Sequence, residues 1–190
     1  MKLLSKIIPR LDILKDNEYT VVDDLFTIKE YSVSDILLKP GQICRKLYFI
    51  QTGLVYAFAN DENEKILWYE FEGNSFTDVI SFYSQSASNI TIRVAENKTI
   101  IASISFDDLA NLYLKYHSWA VWGTRFQQKE LLRLTHYYEN LRKKDASQRY
   151  NDLVDAHPEI LQRIPLGHIA SYLGISQVSL SRIRAGTQKK

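Results

Sequence analysis

The feature that most constrains this chain is a change of hydrophobic period near Ser105. Before it, Lys46 to Gln51, Leu54 to Ala59, Ile66 to Phe71, Ile90 to Ala95 and Thr99 to Ser105 are short runs rich in Ile, Val, Tyr, Phe and Thr. Those side chains suit a pleated, half-buried surface. Pro40-Gly41, Thr52-Gly53, Asn60 to Asn63, Glu72-Gly73-Asn74 and Asn97-Lys98 fall between the runs and suit tight turns. Short strands at this spacing imply an antiparallel barrel or sandwich. The stretch before it, up to Glu30, reads as helical in part.

After Ser105 the apolar residues recur at helical spacing. Asp107 and Asp108 suit a first helical turn, where carboxylates meet unpaired N–H groups, and Leu109, Leu112 and Tyr113 share a face. A second helix is expected from Ser118 to Lys144, a length of about 40 Å. Its stripe of Trp119, Trp122, Phe126, Leu131, Leu134, Tyr138 and Leu141 is interrupted between Phe126 and Leu131. Two uses fit such a stripe: covering the chain's own barrel, or packing against a second copy. The second is expected. Asp145 to Ala156 reads as a further helix stopped by Pro158.

Bulk properties exclude several classes. The longest apolar runs, such as Leu54 to Ala59, are far shorter than the roughly 20 residues a bilayer requires. Met1 to Arg10 lacks the continuous apolar segment of a signal peptide, so a cytoplasmic protein is expected. Cys44 is the single cysteine, which excludes a disulfide within the chain and cysteine-rich metal sites, and it reads as a reduced thiol in a turn. The net charge of +2 is unevenly spread: residues 141–190 carry nine Lys and Arg against four acids, and residues 1–140 carry 15 against 18. The basic end is where a polyanion would dock.

The most specific signal runs from Leu166 to Arg184. Pro165 fits a first helical turn, where its missing N–H costs nothing. Ile169, Ala170 and Leu173 share one face, and Ala170 is small enough for a second helix to cross closely. Gly174 suits the left-handed residue that ends a helix, Ile175 returns to the core, and Ser176 caps a second helix that buries Leu180 and Ile183. These positions together specify a helix-turn-helix. With the second helix in a major groove, Gln177 suits adenine, Val178 a thymine methyl and Arg182 guanine. Ser176, Ser179 and Ser181 suit phosphate oxygens, and Arg184, Lys189 and Lys190 neutralise backbone charge.

With these motifs in place, the chain from about Asp35 onward resembles the Crp/Fnr superfamily of transcription regulators. Lys39-Pro-Gly-Gln42, Leu47-Tyr-Phe-Ile-Gln-Thr-Gly53 and Gly73-Asn-Ser-Phe76 resemble its sensor half. Ile169 to Ser176 and Leu180-Ser-Arg-Ile-Arg184 resemble its helix-turn-helix more closely. The resemblance implies an α+β chain. A double-stranded β-helix, a jelly roll of cyclic-nucleotide-binding-like type, would occupy residues 1–116. A central dimerisation helix would span 117–144 and a helix-turn-helix domain 145–190. Gln177, Val178 and Arg182 fall on the family's three base-reading positions, and only Arg182 keeps the side chain of the cyclic-AMP-responsive members.

The chain departs from that pattern in two places. Thr77-Asp78 and Asn89-Ile90 stand where cyclic-nucleotide-binding relatives place Gly-Glu and Arg-Ser. A buried cyclic phosphate needs a cation or several oriented donors, and neither Asn89 nor Ile90 carries charge. Arg93 lies about 13 Å further along a strand, out of direct reach. Tight cyclic AMP binding is therefore not expected. Only Ala185 to Lys190 follow the recognition helix, so a full wing is not expected either.

Catalysis is not expected, since His117, His136, His157 and His168 all follow the strand region and cannot build a metal centre inside a barrel. No cofactor or metal is anticipated. The partners implied are double-stranded DNA, a second copy of the chain and an unidentified small-molecule effector, with RNA polymerase a further candidate and no membrane. The competing reading is a protein-interaction module with a degenerate sensor barrel and no sequence-specific DNA binding.

Overall fold

Eight strands pair into two four-stranded antiparallel sheets in a computed structural model that describes residues 24–59 and 64–187. The strands are β1 (Thr27–Tyr31), β2 (Ile36–Leu38), β3 (Lys46–Thr52), β4 (Val55–Ala59), β5 (Ile66–Glu70), β6 (Ser75–Phe76), β7 (Ile90–Val94) and β8 (Thr99–Ser105). One sheet runs β1-β8-β3-β6 and the other β2-β7-β4-β5. This is the jelly-roll arrangement expected, and the five strand runs read from the sequence each coincide with a strand to within one residue. A short helix α1 (Val79–Ser84) sits between β6 and β7. The turn at 60–63, the residues before Asp24, and Lys189 and Lys190 lie outside the described residues.

Among its described residues the amino-terminal stretch is helical in part, as expected. Asp24 and Leu25 are helical, but Thr27 to Glu30 belong to β1, in register with β8 from Thr27↔Ser103 to Tyr31↔Thr99. β1 is a sheet edge with four of its five residues exposed, so Lys29 and Glu30 carry no alternating pattern that would reveal it.

Two faces of the sheets have different owners. Tyr48, Val55, Ala57, Trp68, Phe76 and Ile92 belong to the main core, where Tyr48 and Phe76 stack at 4.8 Å and Trp68 meets Phe76 at 5.9 Å. Phe49 faces away from them and packs on Phe26, Trp122 and Phe126. Along β4 the alternation sends Tyr56 and Phe58 to the opposite face, into a separate cluster with Tyr69, Ala95 and Tyr172.

The helices follow: α2 (Phe106–Lys115), α3 (His117–Lys143), α4 (Ala146–Ala156), α5 (Ile160–Arg163), α6 (Leu166–Leu173) and α7 (Gln177–Thr187). Ser105 caps α2 through the Asp108 N–H, and Asp107 and Asp108 fill its first turn. α3 lies one residue from its expected bounds, and Gly123 there allows the Tyr113 ring of α2 to lie against its backbone. The apolar stripe of α3 divides at the interruption noted above. Trp119, Trp122 and Phe126 are buried against the barrel, where each contributes about 2–3 kcal/mol. Leu131, Leu134, Tyr138 and Leu141 are exposed. Asp145 caps α4 with a reciprocal capping box to Gln148.

Helices α4 to α7 share a second core of Tyr150, Ile160, Ile164, Ile169, Ala170, Leu173 and Leu180, which continues onto Leu54 and Phe71 of the barrel. The helical unit is therefore seated on the outer face of the β2-β7-β4-β5 sheet. No helix among the described residues is long and apolar enough to cross a membrane.

Candidate nucleic-acid interface

The turn between α6 and α7 has the geometry its residues require. Gly174 adopts φ +69° and donates back to the last carbonyls of α6. The Ile175 N–H bonds the Ala170 carbonyl at 3.0 Å. Ser176 Oγ accepts the Ser179 N–H at 3.1 Å, and so caps α7. Pro165 stands one residue earlier than expected, as the residue preceding α6 rather than within its first turn. The extended backbone of Pro165 still directs its carbonyl to the N–H groups of His168 and Ile169.

Leu180 is buried and Ile183 half-buried, anchoring the inner face of α7. Its outer face is open: Ser176, Gln177, Val178, Ser181 and Arg182 are exposed, and Ser179 and Arg184 are half-buried. The Gln177 side chain lies over Gly167, where any Cβ would collide with its amide. Val178, Ser181 and Arg182 thus face solvent, and Gln177 is exposed with its side chain resting on α6.

The cassette positions are engaged in local structure. Thr77 Oγ1 donates to the Lys46 carbonyl at 3.0 Å and lies 3.2 Å from Cys44 Sγ. Asp78 caps α1 by accepting the Ser81 N–H. Asn89 is exposed and Ile90 opens β7 opposite Ala59. Cys44 is buried rather than in an open turn. Arg93 points to the outer face of its sheet, over the Phe58 ring at 4.7 Å and toward Glu64 at 4.0 Å. Tyr48 and Phe76 stack in the main core of the barrel, with Trp68 packed against Phe76. Among the described residues no group of three or more His, Cys, Asp or Glu stands together to hold a metal.

What the sequence did not reveal is how the helical unit is fastened. Arg163, 16% exposed at its side chain, grips Glu96 with two bonds of 2.7 and 2.8 Å and Glu72 with two of 2.9 and 3.1 Å. Burial works to raise the Glu72 carboxyl, but the Arg163 hydrogen bond and charge hold it below its ordinary value. His168 Nδ1 lies 2.8 Å from the Tyr69 hydroxyl, and the Ser171 hydroxyl accepts the Ile66 N–H at 3.0 Å. His157 stacks on Phe71 with ring centres 3.7 Å apart. Burial lowers the basicity of His168 beside Tyr69.

The fold now has relatives. Over 95% of this chain and 87% of the other, the structure superposes on a putative transcriptional regulator of the Crp/Fnr family from Eubacterium rectale, with a TM-score of 0.71 and 14% identity. The chain has the Crp/Fnr fold. The c-di-GMP responsive global regulator CLP of Xanthomonas campestris matches over 92% of both chains, with a TM-score of 0.66 and 17% identity. A CooA mutant from Carboxydothermus hydrogenoformans matches over 96% of this chain and 85% of its own, with a TM-score of 0.67 and 20% identity. No protein-family model matches the sequence, and no curated protein matches it.

Proposed function

We propose that the chain is a dimeric transcription regulator that binds double-stranded DNA through α7, with Gln177, Val178 and Arg182 reading bases. Ser176, Ser179, Ser181 and Arg184 contact phosphates. The division into a sensor barrel (1–116), a dimerisation helix (117–144) and a DNA-binding unit (145–190) belongs to the same reading. The observation that carries it is the exposure of Gln177, Val178 and Arg182 beside a turn with helix-turn-helix geometry. Leu131, Leu134, Tyr138 and Leu141 are spaced 3-4-3 on the exposed half of α3, the pattern by which two helices pack together. The Tyr48–Phe76–Trp68 packing inside the barrel and the uncharged Asn89 and Ile90 support an effector other than cyclic AMP.

Selection of bound duplexes from a random library, followed by fluorescence anisotropy across salt concentrations, tests the reading. A regulator yields an enriched two-fold-related site and a steep loss of affinity with salt. Arg182→Ala should weaken the selected site about 10- to 100-fold while leaving the circular dichroism spectrum intact. Failure to enrich any sequence, or equal affinity of the variant, removes the reading.

A further inference from the structure

A cavity of about 250 Å³ opens where three parts of the molecule meet. β5 and the turn after it contribute Glu70, Phe71 and Asn74, α3 contributes Arg133, and the helical unit contributes His157, Ile164, Ile169 and Tyr172. The barrel positions used by nucleotide-binding relatives do not line it.

Its lining is asymmetric. The Ile side chains and the stacked Phe71–His157 pair give it an apolar body. At its polar end the Glu70 carboxyl, in a residue only 5% exposed, receives Arg133. Arg133 Nε also binds Glu130 at 2.9 Å, outside the cavity wall, so one guanidinium serves two carboxylates and the cluster behind the polar end carries surplus negative charge. A cavity of about 150 Å³ holds a benzene ring, so this one takes about ten non-hydrogen atoms.

We propose that this cavity is an effector site for a small organic cation, a primary amine on an aromatic or branched apolar body. The ammonium donates to Glu70 and balances the second carboxylate, while the body lies among Phe71, Ile164, Ile169 and Tyr172. An anion of the same size would meet the Glu70 carboxylate with Glu130 behind it, and a neutral molecule would leave the charge surplus in place. Because the walls come from barrel, long helix and helical unit together, an occupant favours the arrangement in which these parts are docked. That consequence rests on the regulator reading; the binding itself does not.

Three probes of matched size separate the possibilities by calorimetry with the full chain at about pH 8: 2-phenylethylamine, 2-phenylethanol and phenylacetate. The amine should saturate with a Kd of about 1 mM or tighter. It should bind at least about tenfold tighter than the alcohol, and phenylacetate should give no saturable heat. Glu70→Gln should reduce the amine to the level of the alcohol, and Ile164→Trp, which fills the cavity, should abolish both. Equal binding of amine and alcohol to the native chain, or amine binding undiminished in a folded Ile164→Trp protein, overturns the proposal; unchanged amine affinity in Glu70→Gln does so even where the Trp variant does not fold. Anisotropy with the selected duplex tests the regulator reading apart from this, since absence of DNA binding alongside an intact calorimetric pattern removes that reading and keeps the site.

Discussion

Glu70 gives a direct measure of how the barrel, long helix and helical unit are joined. Burial of its carboxyl works against ionisation, and the opposing attraction of Arg133 is weakened because that side chain is 49% exposed and shared with Glu130. Desolvation wins, and the carboxyl is pushed up from 4.5 to about 7. Between those values the folded protein holds a proton that the unfolded chain has released. Stability contributed by this group is therefore complete below pH 4.5 and is lost as the pH rises toward 7, a decline of about 3 kcal/mol. Glu70→Gln leaves an acceptor for Arg133 but cannot ionise. In paired urea denaturations from about pH 5 to about pH 8, the stability of the native chain minus that of the variant should fall by about 2–3 kcal/mol. Other titrating groups cancel in the difference. A difference constant to within about 0.5 kcal/mol would refute the desolvation argument, and one that rises with pH would show Arg133 to be the stronger influence.

Other features are open to equally simple tests. Leu131→Asp with Leu134→Asp should weaken self-association at least about a thousandfold by sedimentation, because each Leu is buried twice at a two-fold contact; an unchanged mass would remove α3 as the contact. Arg163→Ala should lower stability by about 1–2 kcal/mol after screening at the partly exposed Glu72 and Glu96, and should speed hydrogen exchange in α6. Unaltered exchange there would mean that apolar packing alone seats the helical unit. Gly174→Ala meets no atom within 4 Å but must adopt φ +69°, so its cost should be about 1 kcal/mol, read as a small drop in melting temperature.

The sequence was most legible where one residue type answers one local demand. Ser105, Asp145, Gly174 and Ser176 marked helix boundaries because capping and left-handed geometry admit few alternatives. The strands with buried alternation were readable for the same reason. β1, β2 and β6 were not: β1 is mostly exposed and the other two span three and two residues. Arg163 lies 91 and 67 residues from Glu72 and Glu96, so only topology brings them together. One signal of the docked helical unit was present. Tyr56, Phe58, Tyr69 and Phe71 face outward from the barrel interior, and a sheet apolar on both faces requires a cover on each. The helix boundaries around α7 were readable from local signals, whereas the cavity at Glu70 draws on segments scattered from Tyr69 to Tyr172 and left no local trace.

The division of α3 at Phe126 leaves two halves of one helix in different surroundings. Its first half is held by Trp119 and Trp122 inside its own polypeptide, whatever the surroundings. Its second half is tied to the barrel through Arg133 and Glu70 but offers bare leucines to water. If two copies join through those leucines, as we propose, the pairing depends on concentration, and dilution alone would separate them without any chemical signal.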